Sequence, residues 1–354
     1  MNNEWTKTLI EHGLGAAQAG ADADNASHRT VDCSADEPQL VDLAPLCILE
    51  VTGTDAEAFL QGQFCNDLAA ASATRGQITG YCTPKGRLLA LPTVIGFENG
   101  YRMILPDAVK DSFVKRLTMF IMRSDVVVSE LTDWVCTGVI ADSSDNIGPI
   151  AETLGALPAS PMDVATESSR QLIRWHDDHV GNACKRYLLI ASVADQTALW
   201  QQSGGLQKKE FSRWRLGDIT AGVPMISAAV ADAFVPQMLN LQLIDALSFT
   251  KGCYPGQEIV ARMQYLGKLK RHMRQFRISV GAEDAAVLPE AGQALSIEGD
   301  ENAGIVVDAI SVGGDFVAVL AVMKVSANTA TVKLGDLTLD NAEHPYELPT
   351  LSCP

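Results

Sequence analysis

The stretch Lys251-Gly252-Cys253-Tyr254-Pro255-Gly256-Gln257-Glu258, which continues through Ile259-Val260-Ala261-Arg262, decides how this chain is interpreted. It brings together a thiol, two glycines and several hydrogen-bonding side chains. The interior of a helix or strand would not hold two glycines and a proline so close together, because glycine costs ordering entropy and proline lacks a backbone donor. The stretch therefore predicts a tight loop that faces a ligand, with Cys253 as a potential nucleophile and Lys251 as a cation.

The length and composition of the chain predict a soluble protein with more than one domain. A chain of 354 residues is too long for one ordinary hydrophobic core. Its residues are 47% hydrophobic and 20% charged, and no apolar run approaches the roughly 18 residues that a membrane helix needs. The first residues include Glu4 and Glu11 and lack the basic start of a secretory signal, which predicts a cytoplasmic location without membrane association.

The eight cysteines predict reduced, mostly structural thiols. They lie at positions 33, 47, 65, 82, 136, 184, 253 and 353 and form no Cys-x-x-Cys pair. This spacing indicates neither a disulfide framework nor a zinc site. The segment Trp175-His176-Asp177-Asp178-His179 resembles a metal cluster, but it lies between two predicted strands and is interpreted as a polar hairpin. No metal is expected.

The chain as a whole is acidic, but one local segment is basic. The formal net charge of −16 argues against nonspecific coating of nucleic acid, which depends on clustered lysine and arginine. Residues 251–277 reverse this balance, because Glu258 is the only acid there. The basic residues are Lys251, Arg262, Lys268, Lys270, Arg271, Arg274 and Arg277. This segment either receives an anion or forms a solvated face balanced by acids elsewhere in the fold.

The order of predicted elements indicates an α+β protein of three domains. Residues 1–37 are predicted as a mobile lead-in with a short helix near residues 5–14, and residues 38–133 as a first α+β domain. Residues 134–273 form a second α+β domain that carries the Cys253 stretch. A helix is expected over residues 236–247. Residues 274–354 alternate short strands with glycine-rich turns, which is typical of a small β-barrel.

Five motifs connect this chain to a known family. They are Gly53-x-Asp55 leading into Phe59-Leu60-Gln61-Gly62-Gln63, Tyr81-Cys82-x-Pro84-Lys85-Gly86-Arg87, Trp214 through Gly222-x-Pro224, Pro236-Gln237-x-x-Asn240-Leu241, and the stretch 251–258. On these motifs the chain resembles the YgfZ family of folate-binding proteins, relatives of the glycine cleavage T-protein and of mitochondrial iron–sulfur assembly factors. The resemblance implies three domains in a ring around a hole. A tetrahydrofolate derivative would bind there with its pterin deep and its glutamate tail toward the exit.

The resemblance implies a set of site residues. Cys253 is hypothesised as a redox or transfer thiol, with Lys251 lowering its pKa; alternatively Cys253 is only a small buried residue. The other candidates surround the ligand or hold the loop: Asn66, Asp67, Tyr81, Lys85, Arg87, Trp214, Gln237, Asn240, Tyr254, Gln257, Glu258 and Arg262. Each also has a plain structural interpretation. Trp214, for example, either contacts folate or closes a helix against its own core.

Two departures from the family pattern bear on folate binding. A pterin needs a flat surface and polar groups at its edge, and a glutamate tail needs cations. Leu46 stands where the family has a second tryptophan, which removes a stacking surface. Thr220 stands where T-protein relatives have a glutamate that contacts the pterin edge.

The sequence therefore predicts a cytoplasmic folate-binding accessory protein that supports assembly or repair of iron–sulfur enzymes and, through them, tRNA modification. A folate-dependent aminomethyl or one-carbon transferase is an alternative. It is disfavoured because Cys82-Thr83-Pro84-Lys85-Gly86-Arg87 stands where the T-protein has paired aspartates. Two further alternatives are a partner-binding module without folate chemistry, in which Cys253 is dispensable, and direct tRNA binding through residues 262–277. Catalytic turnover is left undefined.

Overall fold

The computed structural model describes residues 2–14, 37–142, 146–167, 170–179, 183–265, 267, 269–279, 288–313 and 316–348. The strands are β1 (Gln39–Asp42), β2 (Leu46–Thr52), β3 (Gly76–Ile78), β4 (Tyr81–Cys82), β5 (Leu88–Ala90), β6 (Thr93–Phe97), β7 (Gly100–Pro106), β8 (Val127–Glu130), β9 (Trp134–Ile140), β10 (Val164–Glu167), β11 (Arg170–Arg174), β12 (Arg186–Ser192), β13 (Gln207–Lys209), β14 (Arg271–Ser279), β15 (Ala294–Ile297), β16 (Asp300–Val312), β17 (Phe316–Lys324), β18 (Val332–Leu334) and β19 (Leu337–Asn341). The α-helices are α1 (Asn3–Glu11), α2 (Ala56–Gln61), α3 (Asp107–Thr118), α4 (Ala151–Leu154), α5 (Val193–Gln202), α6 (Phe211–Thr220) and α7 (Gln257–Tyr265). Within these ranges, no helix is both long and apolar enough to cross a membrane.

The first unit is a five-stranded sheet in the order β3-β6-β7-β2-β8, covered by helices α2 and α3. Helix α3 buries Val109, Phe113 and Leu117. Their spacing of four places them on one face, so the helix presents an apolar stripe to the sheet. The apolar spacing in the sequence predicts this helix after Asp107, but the same spacing continues to Phe120 and Ile121, which lie beyond the helix end at Thr118.

The second unit is a six-stranded sheet in the order β10-β11-β12-β9-β1-β13. Strand β1 lies between β9 and β13, although the sequence analysis placed residues 38–133 in the first unit. All four residues of β1 are buried. A short strand that is buried on both faces shows no alternation in its sequence, so the pattern could not indicate which sheet it would join.

The N-terminal helix packs onto the second unit. Trp5 is fully buried and meets Trp200 of α5 edge to face, with 5.4 Å between ring centroids. Such aromatic pairs add stability beyond the area they bury. The predicted short helix near residues 5–14 is confirmed as α1. Residues 15–36 of the predicted lead-in lie outside the described residues.

The segment 236–247 is not the single helix that the sequence analysis expected. It forms two short 3-10 turns, Pro236–Leu239 and Leu241–Leu243. Asn240 between them and Asp245 after them have positive φ angles of 57° and 54°. A left-handed residue ends a right-handed helix, and an apolar pattern does not indicate where one will occur.

The third unit is a closed barrel in the strand order β14-β17-β16-β15-β18-β19. Its interior is filled by alternate apolar side chains from β16 and β17, among them Val306, Val317 and Val319. The predicted α+β class, with two α+β units and a small C-terminal β-barrel, is confirmed. Helix α6 lies between the second unit and the barrel, and all its residues from Phe211 to Ile219 are buried.

Candidate functional site

A cavity of about 820 Å³ lies where the first unit, the second unit and the segment leading to residue 250 meet. We call it the large cavity. Its wall includes residues 66–78 of the first unit, residues 176–179 of the second, and Tyr346 near the end of the described chain. Cavities of several hundred cubic ångströms hold small organic ligands and cofactors. The large cavity is therefore the candidate site.

Two buried polar atoms in the wall of the large cavity have no hydrogen-bond partner in the described protein. They are Nε2 of Gln77, a side chain only 7% exposed, and Nε2 of His176. Burial, with a contribution from the neighbouring Arg186, lowers the pKa of His176 to about 4, so its imidazole is neutral at pH 7. An unpaired buried polar group costs roughly 1–3 kcal/mol. Each nitrogen therefore lacks a partner within the described protein, and a polar ligand that reached it would supply one.

Asn66 is the predicted cofactor residue that the structure places in this wall. Its Nδ2 donates to the carbonyl of Ile78 at 3.1 Å and to the carbonyl of Asp245 at 2.7 Å. Asp67 also lines the cavity, where its carboxylate accepts from Gln61 Nε2 at 2.8 Å. The two residues thus shape the wall and connect the first unit to the segment around Asp245.

Lys251 lies behind the cavity wall and is 8% exposed. Its ammonium donates to the carbonyls of Gln61, Phe64 and Asn66 at 2.6, 2.5 and 3.0 Å. Burial lowers the pKa of Lys251 to about 8. The ammonium therefore ties the Cys253 loop, residues 251–256, to the first unit. Its predicted influence on the Cys253 thiol stays a prediction.

Cys253 is exposed, whereas the other cysteines of the described chain are buried. The interpretation of Cys253 as a small buried residue is wrong. Gly256 has a φ of 86°, and a Cβ there would lie 2.6 Å from Gly86 Cα and collide with the Thr83 carbonyl. The loop therefore packs directly on the turn 83–86, and two motifs that are distant in sequence meet here.

The remaining loop residues stabilise the loop or face solvent. Gln257 Nε2 donates to the carbonyls of Lys251 and Gly252, each at 3.4 Å. Glu258 and Arg262 form an exposed pair at 2.8 Å on helix α7. None of these three side chains lines the large cavity. Of the three, only Gln257 contacts the loop in this way, so the predicted role of holding the loop is supported for Gln257 alone.

Four further predicted residues lie outside the wall of the large cavity. Tyr81 is buried among aromatic residues, 5.2 Å from Phe113 between ring centroids, and Tyr254 is buried near the Lys251 ammonium. Lys85 is exposed on its turn. Arg87 donates to the carbonyl of Ala233 at 2.6 Å. Their contacts are those of core and turn residues.

Gln237 and Asn240 hold the segment between the second unit and the barrel. Gln237 Nε2 donates to the carbonyl of Val260 at 2.7 Å, and Asn240 Nδ2 donates to the carbonyl of Met273 at 2.9 Å. Both side chains are buried. Each side chain donates to a backbone carbonyl, and together they fix the positions of α7 and of the first barrel strand relative to this segment.

Trp214 and Leu46 line a different space, an apolar cavity of about 50 Å³ that we call the small cavity. Trp214 is 2% exposed and packs on strand β9, where a Cβ on Gly138 would lie 2.6 Å from its ring. The Arg186 guanidinium lies 4.6 Å from the Trp214 ring centroid. These contacts favour the interpretation that Trp214 closes α6 against its own core. Leu46, which stands where the family has a second tryptophan, also lines the small cavity.

Thr220, which stands where T-protein relatives have a glutamate, is part of a buried polar network. Thr220 Oγ1 donates to Asp178 at 3.1 Å, and Asp178 pairs with Arg213 at 2.6 Å. His176 and His179 both line the large cavity, and Asp177 beside them pairs with Arg174. The described residues contain no group of three or more His, Cys, Asp or Glu side chains arranged to hold a metal.

Sequence reasoning missed Gln77, Asp245 and Tyr346 as residues of the large cavity. Gln77 is a buried polar residue in a short strand, which was a usable signal because such residues need a partner. Asp245 interrupts an apolar run. Tyr346 comes from the far end of the chain, and nothing local in the sequence connects it to this site.

Comparison with known proteins places the chain among characterised relatives. Two of these are tRNA-modifying protein YgfZ from Yersinia pseudotuberculosis serotype O:1b and the protein of the same name from Yersinia pestis strain Pestoides F. Each is 30% identical over 288 residues, which span 80% of this chain and 84% of the relative. No protein-family model matches the chain.

One solved structure shares the architecture. The glycine cleavage system aminomethyltransferase T from Bartonella henselae superposes with a TM-score of 0.65 at 12% identity, covering 87% of this chain and 85% of that protein. At this identity the likeness concerns the fold alone. The predicted T-protein-like architecture is confirmed.

Proposed function

Because this chain belongs to the YgfZ family, we propose that it binds a tetrahydrofolate derivative in the large cavity and supports tRNA modification. The relatives are named tRNA-modifying proteins. The observation that carries the folate proposal is the large cavity itself, with its unpaired Gln77 and His176 nitrogens. A volume of about 820 Å³ suits a ligand of this size.

The residues in the wall fit the two ends of a folate. A pterin presents donors and acceptors along one edge, and the Gln77 amide supplies a buried donor for an acceptor on that edge. A glutamate tail needs a cation, and Arg75 lies in the same wall, half exposed and 2.7 Å from Asp163. When bound, the folate would carry a one-carbon unit. The protein residues would bind and orient it.

Cys253 has a different place in this proposal. The thiol is exposed on a loop that Lys251 anchors behind the cavity wall, and Cys253 is not part of that wall. We propose that it acts toward a partner protein, namely an iron–sulfur enzyme such as one that modifies tRNA. An exposed thiol is accessible to a partner without any opening of the fold. A cytoplasmic location and the link to iron–sulfur enzymes remain predictions.

Direct tRNA binding through residues 262–277 has weaker support. Arg274 and Arg277 lie over the rings of Phe276 and Phe316, and Arg271 donates to the carbonyl of Asn302 at 3.1 Å. Because these guanidinium groups stack on aromatic rings or donate to the backbone, they are explained by packing on the barrel surface. Lys268 lies outside the described residues.

Calorimetric titration of the reduced protein with 5-formyltetrahydrofolate tests the proposal. Saturable binding is expected for the wild type, and Gln77→Leu should weaken it roughly tenfold because one hydrogen bond to the ligand is lost. Gln201→Leu, an exposed glutamine on α5, is the matched control and should bind like the wild type. Absence of saturable binding by the wild type would refute folate binding and favour a partner-binding module.

A further inference from the structure

Asp245 adopts an unusual backbone conformation in the wall of the large cavity. Its φ is 54°, in the left-handed region that, apart from glycine, is occupied mainly by asparagine and aspartate. Asp245 is exposed toward the cavity, whereas its neighbours Ile244 and Ala246 are buried. Unfavourable backbone conformations persist where the surrounding structure enforces them, and they cluster at functional sites.

Hydrogen bonds on both sides hold Asp245 in this conformation. Asn66 Nδ2 donates to the Asp245 carbonyl at 2.7 Å, which ties this residue to the first unit. The Ala246 amide donates to the carbonyl of Leu241 at 2.9 Å, and Cys65 Sγ donates to the Ala246 carbonyl at 3.6 Å. The backbone is therefore fixed while the carboxylate stays at the cavity surface.

The carboxylate of Asp245 differs from the other two carboxylates in this wall. Asp67 accepts hydrogen bonds from Gln61 and from the amide of Ala69, and Asp177 pairs with Arg174. In the described part of the chain, the Asp245 carboxylate makes no hydrogen bond and no ion pair. The remaining charged or titratable groups of the wall are Arg75, His176, His179 and Tyr346. Of the three carboxylates in this wall, that of Asp245 can therefore accept hydrogen bonds from a ligand without losing one from the protein.

We propose that Asp245 determines the ligand specificity of the large cavity by accepting hydrogen bonds from the 2-amino group and N3–H of a pterin. This inference rests on the proposed folate binding. Those two groups are adjacent donors on one edge, and a carboxylate accepts two parallel hydrogen bonds with high specificity. Gln77, in the same wall, carries an unpaired amide N–H, which is the kind of donor that a 4-oxo group accepts from. Thr220 is engaged with Asp178 and supplies no carboxylate here.

Three variants separate ligand recognition from backbone effects. Asp245→Asn removes the charge and keeps a residue that tolerates a left-handed conformation. Asp245→Gly removes the side chain and relieves the backbone at the same time. Asp232→Gly is the matched control, because Asp232 has a φ of 61°, is exposed, and lies outside the large cavity.

The probes are 5-formyltetrahydrofolate and its 2-desamino-2-methyl analogue, titrated by calorimetry alongside thermal melts. Both Asp245 variants should bind 5-formyltetrahydrofolate roughly ten- to one-hundredfold more weakly than the wild type, as expected for lost hydrogen bonds to a charged acceptor. The wild type should discriminate against the analogue, and Asp245→Asn should bind both probes alike. Asp245→Gly and Asp232→Gly should both melt at or above the wild-type temperature, and only the latter should keep wild-type affinity.

Two results would overturn the inference in distinguishable ways. Wild-type affinity of both Asp245 variants for 5-formyltetrahydrofolate would refute the role of Asp245 and leave folate binding intact. No saturable binding of either probe by the wild type would refute the proposed function and this inference together.

Discussion

At the scale of single residues, Lys251 shows how a charged side chain serves as a structural link. Its ammonium is buried against three backbone carbonyls of the first unit. Burying a cation is costly unless its donors are satisfied, and here each of the three N–H groups has an acceptor. The position of Cys253 two residues later is thereby fixed relative to the first unit, although the thiol itself stays exposed.

Replacement of Cys253 tests its chemical role at this scale. In cells lacking the protein, Cys253→Ala should restore the activity of an iron–sulfur tRNA-modifying enzyme to less than about a tenth of the wild-type level, because no other exposed thiol is described. Gly252→Ala is the neighbouring control and should restore it fully, since a Cβ there meets nothing within 4 Å. Full restoration by Cys253→Ala would exclude chemistry at the thiol.

At the scale of elements, the Cys253 loop depends on a close approach between two backbones. The loop enters helix α7 at Gly256, which packs on the turn containing Gly86. The two glycines meet because neither carries a Cβ, and both have positive φ angles, 86° at Gly256 and 72° at Gly86. The two motifs, which are distant in sequence, therefore meet in one backbone contact.

Gly256→Ala should destabilise this contact. A methyl group would collide with the Thr83 carbonyl and force an L-residue into a left-handed conformation, at a cost of roughly 2–4 kcal/mol. Gly252→Ala, four residues earlier in the open part of the loop, should change the unfolding free energy by less than about 0.5 kcal/mol. Urea denaturation followed by circular dichroism would compare the two variants, and equal midpoints would show that the backbone contact is not required.

At the scale of the whole molecule, helix α6 unites the second unit and the barrel. Its buried residues face both neighbours, and Arg215 pairs with Asp308 of strand β16 while both side chains are about 5% exposed or less. A buried ion pair is costly to break because the remaining charge has no solvent. The pair therefore specifies how the barrel docks on the rest of the protein.

Asp308→Ala should weaken this docking. Loss of the carboxylate removes the Asp308 partner of the buried Arg215 guanidinium, which should lower the unfolding free energy by roughly 3–5 kcal/mol. Glu258→Ala breaks an exposed pair with Arg262 and should cost less than about 1 kcal/mol. Guanidinium denaturation curves measure both, and similar midpoints for the two variants would contradict a role for the buried pair in docking.

Much of the architecture followed from local patterns. The spacing of Val109, Phe113 and Leu117 predicted α3, and the alternation of short strands with glycine turns after Arg274 predicted the barrel. Local patterns failed at residues 236–247, where Asn240 and Asp245 adopt left-handed conformations. An apolar run has the same appearance whether it forms one helix or two short turns, because its burial is decided by neighbours that lie elsewhere in the sequence.

The sequence by itself determined the fold class and the family motifs, because periodicity, turn residues and motif spacing are local properties. Only the tertiary structure decided which residues line the large cavity. It placed Asn66, Gln77, His176, Asp245 and Tyr346 together and left the buried Trp214 and Lys251 outside that wall. The reason is physical: a cavity wall is built from distant segments whose side-chain directions depend on how the units pack, and no local sequence pattern records that packing.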